Sequence, residues 1–489
     1  MSRSDAHQPW QGSARIFAAE LLILPTGLVT AGYLTRHLGP DGYGLLTLGV
    51  SAMTWLQWTA ISMLARASNR AIAAVGDWRP VAAEVVHLHL VVGAVIGLVV
   101  LIAAPWLSVA LGQPSLTTTL RWLALELPLL VVAQGYRGAL VASGDHNWVS
   151  VITAARWLVR MVAVIGMVAL GWSVNGAVGG MLLASAVALA LFRLRIGALH
   201  RATREERRTM RAGLLVLAAP LALAGIGARL FERADLFLLA ALGGSTASLG
   251  HYGAAQNLTI VLSLLAGAVS PVVQATVTRL RRQGQHDELR RLQRDVLRMP
   301  YLVLPFTALA AGAASDIMHV VYGESFLGAA TPFALLMLGS TALVAVSLST
   351  VLLVTVDRAW VVVGLTGPML VALLVLTLVL VPRFGAAGPA MASLVVSIVA
   401  AGVGQFLIGR YEAVCVPLRT TIVGVGLAML AFAAGSAWPT VTAVGTVAKL
   451  FSICIVLVSA LLLLREIPTH LLPFVAAPAD PAKSPPSTS

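Results

Sequence analysis

GAVGGMLLASAVALALFRLRIGALHRATREERRTMR, residues 176–211, sets an uncharged apolar run directly against a dense basic one. Residues 176–192 carry no charge, and about 20 apolar residues suffice for a helix to cross a bilayer. Arg193, Arg195, Arg201, Arg204, Arg207, Arg208 and Arg211 follow, and such clusters mark the cytoplasmic side of a membrane. Outward from this stretch, similar apolar blocks recur along all 489 residues. Hydrophobic residues make up 58% and charged residues 11%, with a mean hydropathy of +0.89. A soluble protein carries about 25% charge. An ordinary soluble enzyme, a disordered chain and a fibrous chain are all excluded, and the fold class is an all-α polytopic membrane protein.

The pattern predicts about 14 transmembrane helices. They run over 14–35, 43–64, 84–107, 120–143, 149–171, 174–194, 212–242, 251–278, 299–320, 330–355, 359–381, 385–409, 419–437 and 441–464. Pro220 and Gly225 interrupt the seventh. A second basic cluster follows the eighth: Arg279, Arg281, Arg282, Arg290, Arg291, Arg294 and Arg298. Both clusters belong in the cytoplasm, which places both termini there. Of the 33 Lys and Arg, only Arg36, Arg121 and Arg383 are counted on the opposite side. The net charge of +13 and pI of about 10.9 therefore read as membrane topology and anionic headgroups, not as nucleic-acid binding. Residues 1–13 are a polar cytoplasmic segment with no cleavable signal peptide, and 465–489 read as a disordered tail. External loops are short, with no soluble domain inserted. Cys415 and Cys454 are too isolated for a disulfide or a metal site.

Five landmarks recur at offsets of 204 to 212 residues. Leu38-Gly39 matches Leu242-Gly243, and Tyr43-Gly44 matches Tyr252-Gly253. Leu111-Gly112 matches Tyr322-Gly323, Asp145 to Val149 matches Asp357 to Val361, and Gly176 to Gly179 matches Gly385 to Gly388. Two six-helix repeats follow, 14–194 and 212–409. They share one orientation and are related by a parallel pseudo-two-fold axis along the membrane normal. The basic segment 195–211 links them, and 410–464 adds two C-terminal helices. A substrate site belongs at the interface of such halves.

Charges inside the spans mark that site, because even the gentlest insertion scale sets about 2.5 kcal/mol against each. Arg156 and Arg160 share one face of the fifth helix at i,i+4. Arg137 lies on the fourth with Gln134 one turn above it, and Arg229 and Arg233 lie on the seventh. These six residues form a candidate basic ladder for an anionic ligand, arginine being suited to phosphate through its planar fork. Ion pairing within the bundle, Arg229 with Glu232 for example, is the structural alternative. Acids in the spans are fewer and scattered, Glu20, Glu126, Glu232 and Asp235, of which Glu20, Glu126 and Asp235 are candidates for coupling to a proton or sodium ion. No Walker motif, nucleophile elbow or HExxH is present, and no cofactor or metal is expected, so the chain reads as a transporter and not an enzyme.

Several segments carry a resemblance: TRHLGPDGYG at 35–44, RGALVASGDHNWVSV at 137–151, DLFLLAALGGSTASLGHYGAAQNL at 235–258, YGESFLGAATPFALL at 322–336 and FGAAGPAMASLV at 384–395. Over residues 14 to about 410 the chain resembles the oligosaccharide and polysaccharide flippases of the MATE-like multidrug/oligosaccharidyl-lipid/polysaccharide (MOP) superfamily, of the O-antigen and exopolysaccharide exporter type. The resemblance implies a MATE/MurJ-like fold in a bacterial cytoplasmic membrane. It implies alternating-access transport of an undecaprenyl-pyrophosphate-linked oligosaccharide for surface polysaccharide or lipopolysaccharide synthesis. Its partners are then membrane lipids and the polymerase and glycosyltransferases of the same pathway. One departure is Glu20, which stands in helix 1 where related flippases often place basic residues. The competing readings are a MATE-type multidrug–cation antiporter, which the excess of arginines over acids opposes, and a peptidoglycan-precursor flippase. A polymerase or glycosyltransferase would need a larger external loop.

Overall fold

The computed structural model describes residues 8–73, 78–197, 233–354, 359–440 and 442–466. All regular structure among them is helical. Ten segments are long and apolar enough to cross a membrane, or up to eleven with one bent pair taken as a single span. The elements are α1 (Gln8–Leu21), α2 (Ile23–Ala73), α3 (Arg79–Ala110), α4 (Leu116–Ala142), α5 (His146–Met167), α6 (Ser173–Ile196), α7 (Ala234–Ala241) and α8 (Thr246–Arg282). They continue with α9 (His286–Gly312), α10 (Ala314–Tyr322), α11 (Ala330–Val354), α12 (Ala359–Phe384), α13 (Ala387–Glu412), α14 (Leu418–Ala437) and α15 (Ala443–Leu463).

Two of the apolar segments are much longer than the roughly 20 residues one crossing needs. Arg15–Trp58 has 44 residues and His146–Ile196 has 51. Each is interrupted where the backbone leaves helical space. Gly39 sits at φ 65°, followed by Pro40, and Gly171 sits at φ 88° within a π-helical turn, Val168–Trp172. After Gly171 the chain folds α6 back against α5, so closely that a Cβ on Gly180 would strike the backbone of Val164.

Several helix ends differ from the sequence expectation. The first helix starts at Gln8 and divides at Leu22, where a single span over 14–35 was expected. Pro25 explains the division, because it has no N–H for the Leu21 carbonyl one turn back. At the next carbonyl, Leu22, both the N–H and the hydroxyl of Thr26 donate, at 3.1 and 2.5 Å. The ninth helix begins at His286, inside the expected basic loop, and bends by 67° into α10. The eighth runs on to Arg282. Of the expected seventh helix, residues 212–232 lie outside the described residues, as do most of the 195–211 linker and the 465–489 tail.

The chain packs as two compact units. The first comprises Met1–Leu258, Val321–Phe333 and Leu370–Ser393. Its central helix is α4, the most buried of the spans, which touches α2, α3, α5 and α6. Lipid supplies no hydrophobic drive for helix association, so small residues that admit close approach matter. Gly93 and Gly97 of α3 lie directly on Pro128 and Ala124 of α4. Near Gly39 the main chains of Gly44 and Gly250 touch without any side chain between them. A Cβ on Gly44 would collide with the Thr246 carbonyl, and one on Gly250 with the Pro40 carbonyl. Around that contact the Arg36 guanidinium donates to the Val321 carbonyl at 3.0 Å, and the Asn257 amide donates to the Tyr43 hydroxyl at 2.7 Å.

The second unit comprises Thr259–Val320, Ala334–Met369 and Leu394–Ser489. Val273, Val277, Val296, Leu348, Leu352 and Ile408 belong to its core, drawn from α8, α9, α11 and α13. Helix α14 lies against α9, with Gly424 on Tyr301 and Gly435 on Leu309. Lys449 of α15 is fully buried and joins three elements. Its ammonium reaches the Asp316 carboxylate of α10 at 2.7 Å and the Gly435 and Trp438 carbonyls at 2.5 Å. Those carbonyls lie where α14 ends, so the cation also satisfies acceptors that a helix terminus leaves open. Just beyond α15, Glu466 accepts from Arg298 at 2.6 Å and from the Thr420 hydroxyl at 2.7 Å, with Arg419 at 3.4 Å.

Removing one member of a buried pair strands the other charge, at about 3–5 kcal/mol. Asp316→Ala is expected to cost that much in thermal or denaturant unfolding of the purified protein. The double change Asp316→Leu with Lys449→Met should be milder. For Glu466, burial opposes ionisation, and Thr420, Arg298 and Arg419 more than offset it. The carboxyl therefore stays below the ordinary carboxylate range. Its contribution to stability is complete above that ordinary range and is lost as pH falls through the lowered value. Glu466→Gln should flatten the acid limb of Tm against pH, and a limb like that of the wild type would remove Glu466 from this role.

Candidate functional site

Helices α1, α4 and α5 bring five intramembrane charges together inside the first unit. Spacing explains the local part: Arg156 and Arg160 are one turn apart on α5, with Trp157 between them in sequence. Their guanidinium carbons lie 5.0 and 5.6 Å from the Trp157 ring centroid, within cation–π range. Arg156 is in electrostatic range of Arg160, Glu126, Glu20 and Arg137, and Arg160 is in range of Glu126. Three guanidinium groups thus meet two carboxylates.

The two carboxylates are engaged. Glu20 of α1 accepts from Arg137 Nη2 at 3.0 Å, and Glu126 of α4 accepts from the Ser185 hydroxyl of α6 at 2.8 Å. Arg156 and Arg160 make no hydrogen bond and no ion pair among the described residues. Arg156 Nε, Arg137 Nε and Trp157 Nε1 are buried without hydrogen-bond partners. A buried donor left unmade costs about 1–3 kcal/mol, so several in one cluster leave capacity for an oxygen-rich ligand. Arginine forks take phosphate oxygens two at a time. Gln134, half-buried on α4, is one turn from Arg137.

The remaining sequence candidates stand elsewhere. Arg229 and Glu232 lie outside the described residues. Arg233 donates to Gln256 of α8, and Asp235 of α7 accepts from the Tyr252 hydroxyl at 2.5 Å and from the Leu236 N–H at 2.7 Å. Arg233 and Asp235 therefore belong to a second network, with Tyr252 and Gln256 as its other members. Among the described residues no hydrogen bond or ion pair joins that network to Arg137, Arg156 or Arg160. Among the described residues no three His, Cys, Asp or Glu side chains converge to hold a metal ion. Trp157, Ser185 and Gln256 escaped the sequence reading, and Tyr252 entered it as a repeat landmark and not as a partner of Asp235. Only Trp157 carried a local signal, lying between two arginines. The other three are partners across helices.

A family model described as polysaccharide biosynthesis protein matches residues 33–331. Among solved structures, the lipid II flippase MurJ in an inward closed conformation superposes with a TM-score of 0.74 at 12% identity, covering 93% of this chain and 99% of that one. An inward-facing multidrug resistance MATE family transporter of the MOP superfamily gives a TM-score of 0.64 at 18% identity, covering 80% and 94%. A MOP superfamily transporter from Pyrococcus furiosus, described by a reversed polarity of its binding pocket, gives 0.56 at 16% identity, covering 83% and 95%. No curated protein matches the sequence. The fold is MATE/MurJ-like.

Tyr252→Phe withdraws one donor from the buried Asp235 carboxylate and leaves its other contacts in place. The expected loss is about 1–3 kcal/mol of unfolding free energy, measured in detergent at neutral pH. An unchanged stability would show the hydroxyl to be dispensable.

Proposed function

From a chain that belongs to the polysaccharide biosynthesis protein family and folds as a MOP superfamily transporter, we propose a flippase for a lipid-linked oligosaccharide. The cargo is an undecaprenyl-pyrophosphate-linked glycan, carried across a bacterial cytoplasmic membrane by alternating access for surface polysaccharide synthesis. The observation that carries this reading is the pair Arg156 and Arg160: two guanidinium groups inside the membrane-spanning bundle, beside an indole face, with no carboxylate bound to either among the described residues. A charge in that setting costs at least about 2.5 kcal/mol, and a pyrophosphate offers compensation during transport. An indole face also suits the apolar side of a sugar ring.

The finer architecture belongs to the same proposal. Two crossings in each of the two long segments, one over 212–242 and one in the bent pair α9–α10 give fourteen, with both termini cytoplasmic. Two parallel repeats are supported by the matched glycines Gly39 and Gly243, and Gly112 and Gly323, all left-handed. Arg137 and Gln134 extend the head-group site toward the cytoplasm, and Arg229 and Arg233 extend the path outward. Coupling to H+ or Na+ falls to Glu126 or Asp235, and pathway glycosyltransferases and a polymerase supply and consume the cargo.

The likeness to MurJ favours a peptidoglycan-precursor flippase as the second reading. A multidrug–cation antiporter is opposed by the charge balance, since Glu20 and Glu126 are both engaged.

Arg160→Ala and Arg156→Ala are each expected to lower glycan export at least tenfold at unchanged protein level. Leaflet-specific labelling of intact and lysed cells should then find the undecaprenyl-linked glycan on the cytoplasmic face, and mass spectrometry identifies its sugar. Full export in both variants overturns the site. An unchanged lipid-linked pool after deletion, with new sensitivity to cationic compounds, moves the assignment to the antiporter.

A further inference from the structure

Glu20 and Arg137 hold each other across 117 residues of sequence, and the way they do so is incomplete. A single bond joins Arg137 Nη2 to Glu20 Oε1 at 3.0 Å, where a carboxylate facing a guanidinium squarely would accept two. Arg137 Nε is buried and unmatched. The pair is also not enclosed, with side-chain exposures of 28% for Arg137 and 41% for Glu20, so either partner can be exchanged without opening the packed core. Arg156 lies in range of both charges, which places the pair in the same cluster as the free guanidinium groups.

The backbone under Glu20 is loose. Glu20 is the penultimate residue of α1, and Pro25 supplies no N–H to the Leu21 carbonyl. Across the division the Leu22 N–H makes only a long bond, 3.4 Å, to the Ala19 carbonyl. The carboxylate can therefore leave Arg137 by motion of one weak turn.

We infer that Glu20 is a resident counter-ion, a built-in stand-in for the anionic head group, which occupies Arg137 in the empty protein and is displaced by phosphate oxygens on loading. The phosphate-bearing identity of the ligand rests on the function proposed above; the displacement itself rests on the pair's geometry. Two properties follow. The empty site is less positive than its three arginines suggest, which lowers the cost of keeping them in the membrane. A ligand must also outcompete a carboxylate, so a multiply charged pyrophosphate is favoured over a singly charged anion.

The test uses the full-length protein in nanodiscs and inorganic pyrophosphate as the probe, titrated calorimetrically at low ionic strength. Glu20→Gln is expected to bind pyrophosphate about two- to fivefold more tightly than wild type, the size of a half-exposed ion pair. Arg137→Ala should bind more weakly, and the double variant no more tightly than Arg137→Ala alone. Glu20→Ala carries the same expectation as Glu20→Gln and stands in if that variant is not recovered. Unchanged or weaker binding in the Glu20 variants overturns the inference and makes the pair a clamp of α1 on α4. Binding in the Glu20 variants but not in wild type supports it. Arg160→Ala separates the two readings. If it binds as wild type does while Glu20→Gln still tightens, the arginine pair on α5 fails and the displacement stands. If no form binds pyrophosphate, both fall.

Discussion

A charged side chain in hydrocarbon has to be compensated, and this rule organises every polar feature of the molecule. Lys449 meets it completely, with a carboxylate and two carbonyls around one ammonium. Asp235 meets it with Tyr252 and a backbone N–H, and Glu466, just beyond the last span, is likewise matched by Arg298, Arg419 and Thr420. Each of these groups binds helices to one another and is satisfied by the protein alone. Arg156 and Arg160 are different. They have an aromatic ring for company and carboxylates in electrostatic range, and among the described residues they have no hydrogen-bond partner. The contrast between satisfied and open charges separates the structural polar groups from the candidate site better than position along the chain does.

Much of this was legible in residue order and some was not. Apolar blocks and arginine clusters report membrane segments directly, because the bilayer acts on composition over one span at a time. The i,i+4 spacing of Arg156 and Arg160 likewise carried its own geometry. Pro25 announced the division of the first helix, although the expected span ran through it. What stayed hidden was pairing between helices. Glu20 with Arg137, Glu126 with Ser185 and Lys449 with Asp316 join residues 59 to 133 positions apart. No periodicity records such distances, since the partner is chosen by how helices pack. The bend between α9 and α10 was passed over too: it falls in the small-residue stretch AAGAAS at 310–315, just before Asp316, inside a span expected to run straight over 299–320.

Pairing also changes what a candidate residue means. Arg137 and Glu20 entered as members of two different sets, an anion ladder and a cation-coupling group. In the fold they are one unit, and neither charge can be read without the other. Arg233 and Asp235 show the same effect, joined through Gln256 and Tyr252 into a network of their own. The net charge a ligand meets is accordingly set by pairs, and a count of arginines along the spans overstates it.

The main-chain contact of Gly44 with Gly250 has a consequence for how this protein can vary. Most helix contacts are made by side chains, so many substitutions at many positions can adjust them by small steps. Here the touching surfaces are bare backbone, and backbone is the same in every sequence. Neighbouring residues have little purchase on the fit. At these two positions drift has almost no gradual route: the smallest available change, a methyl group, is already a collision. The contact is therefore inherited whole or lost whole, and a lineage can alter it only by moving the helices that carry it.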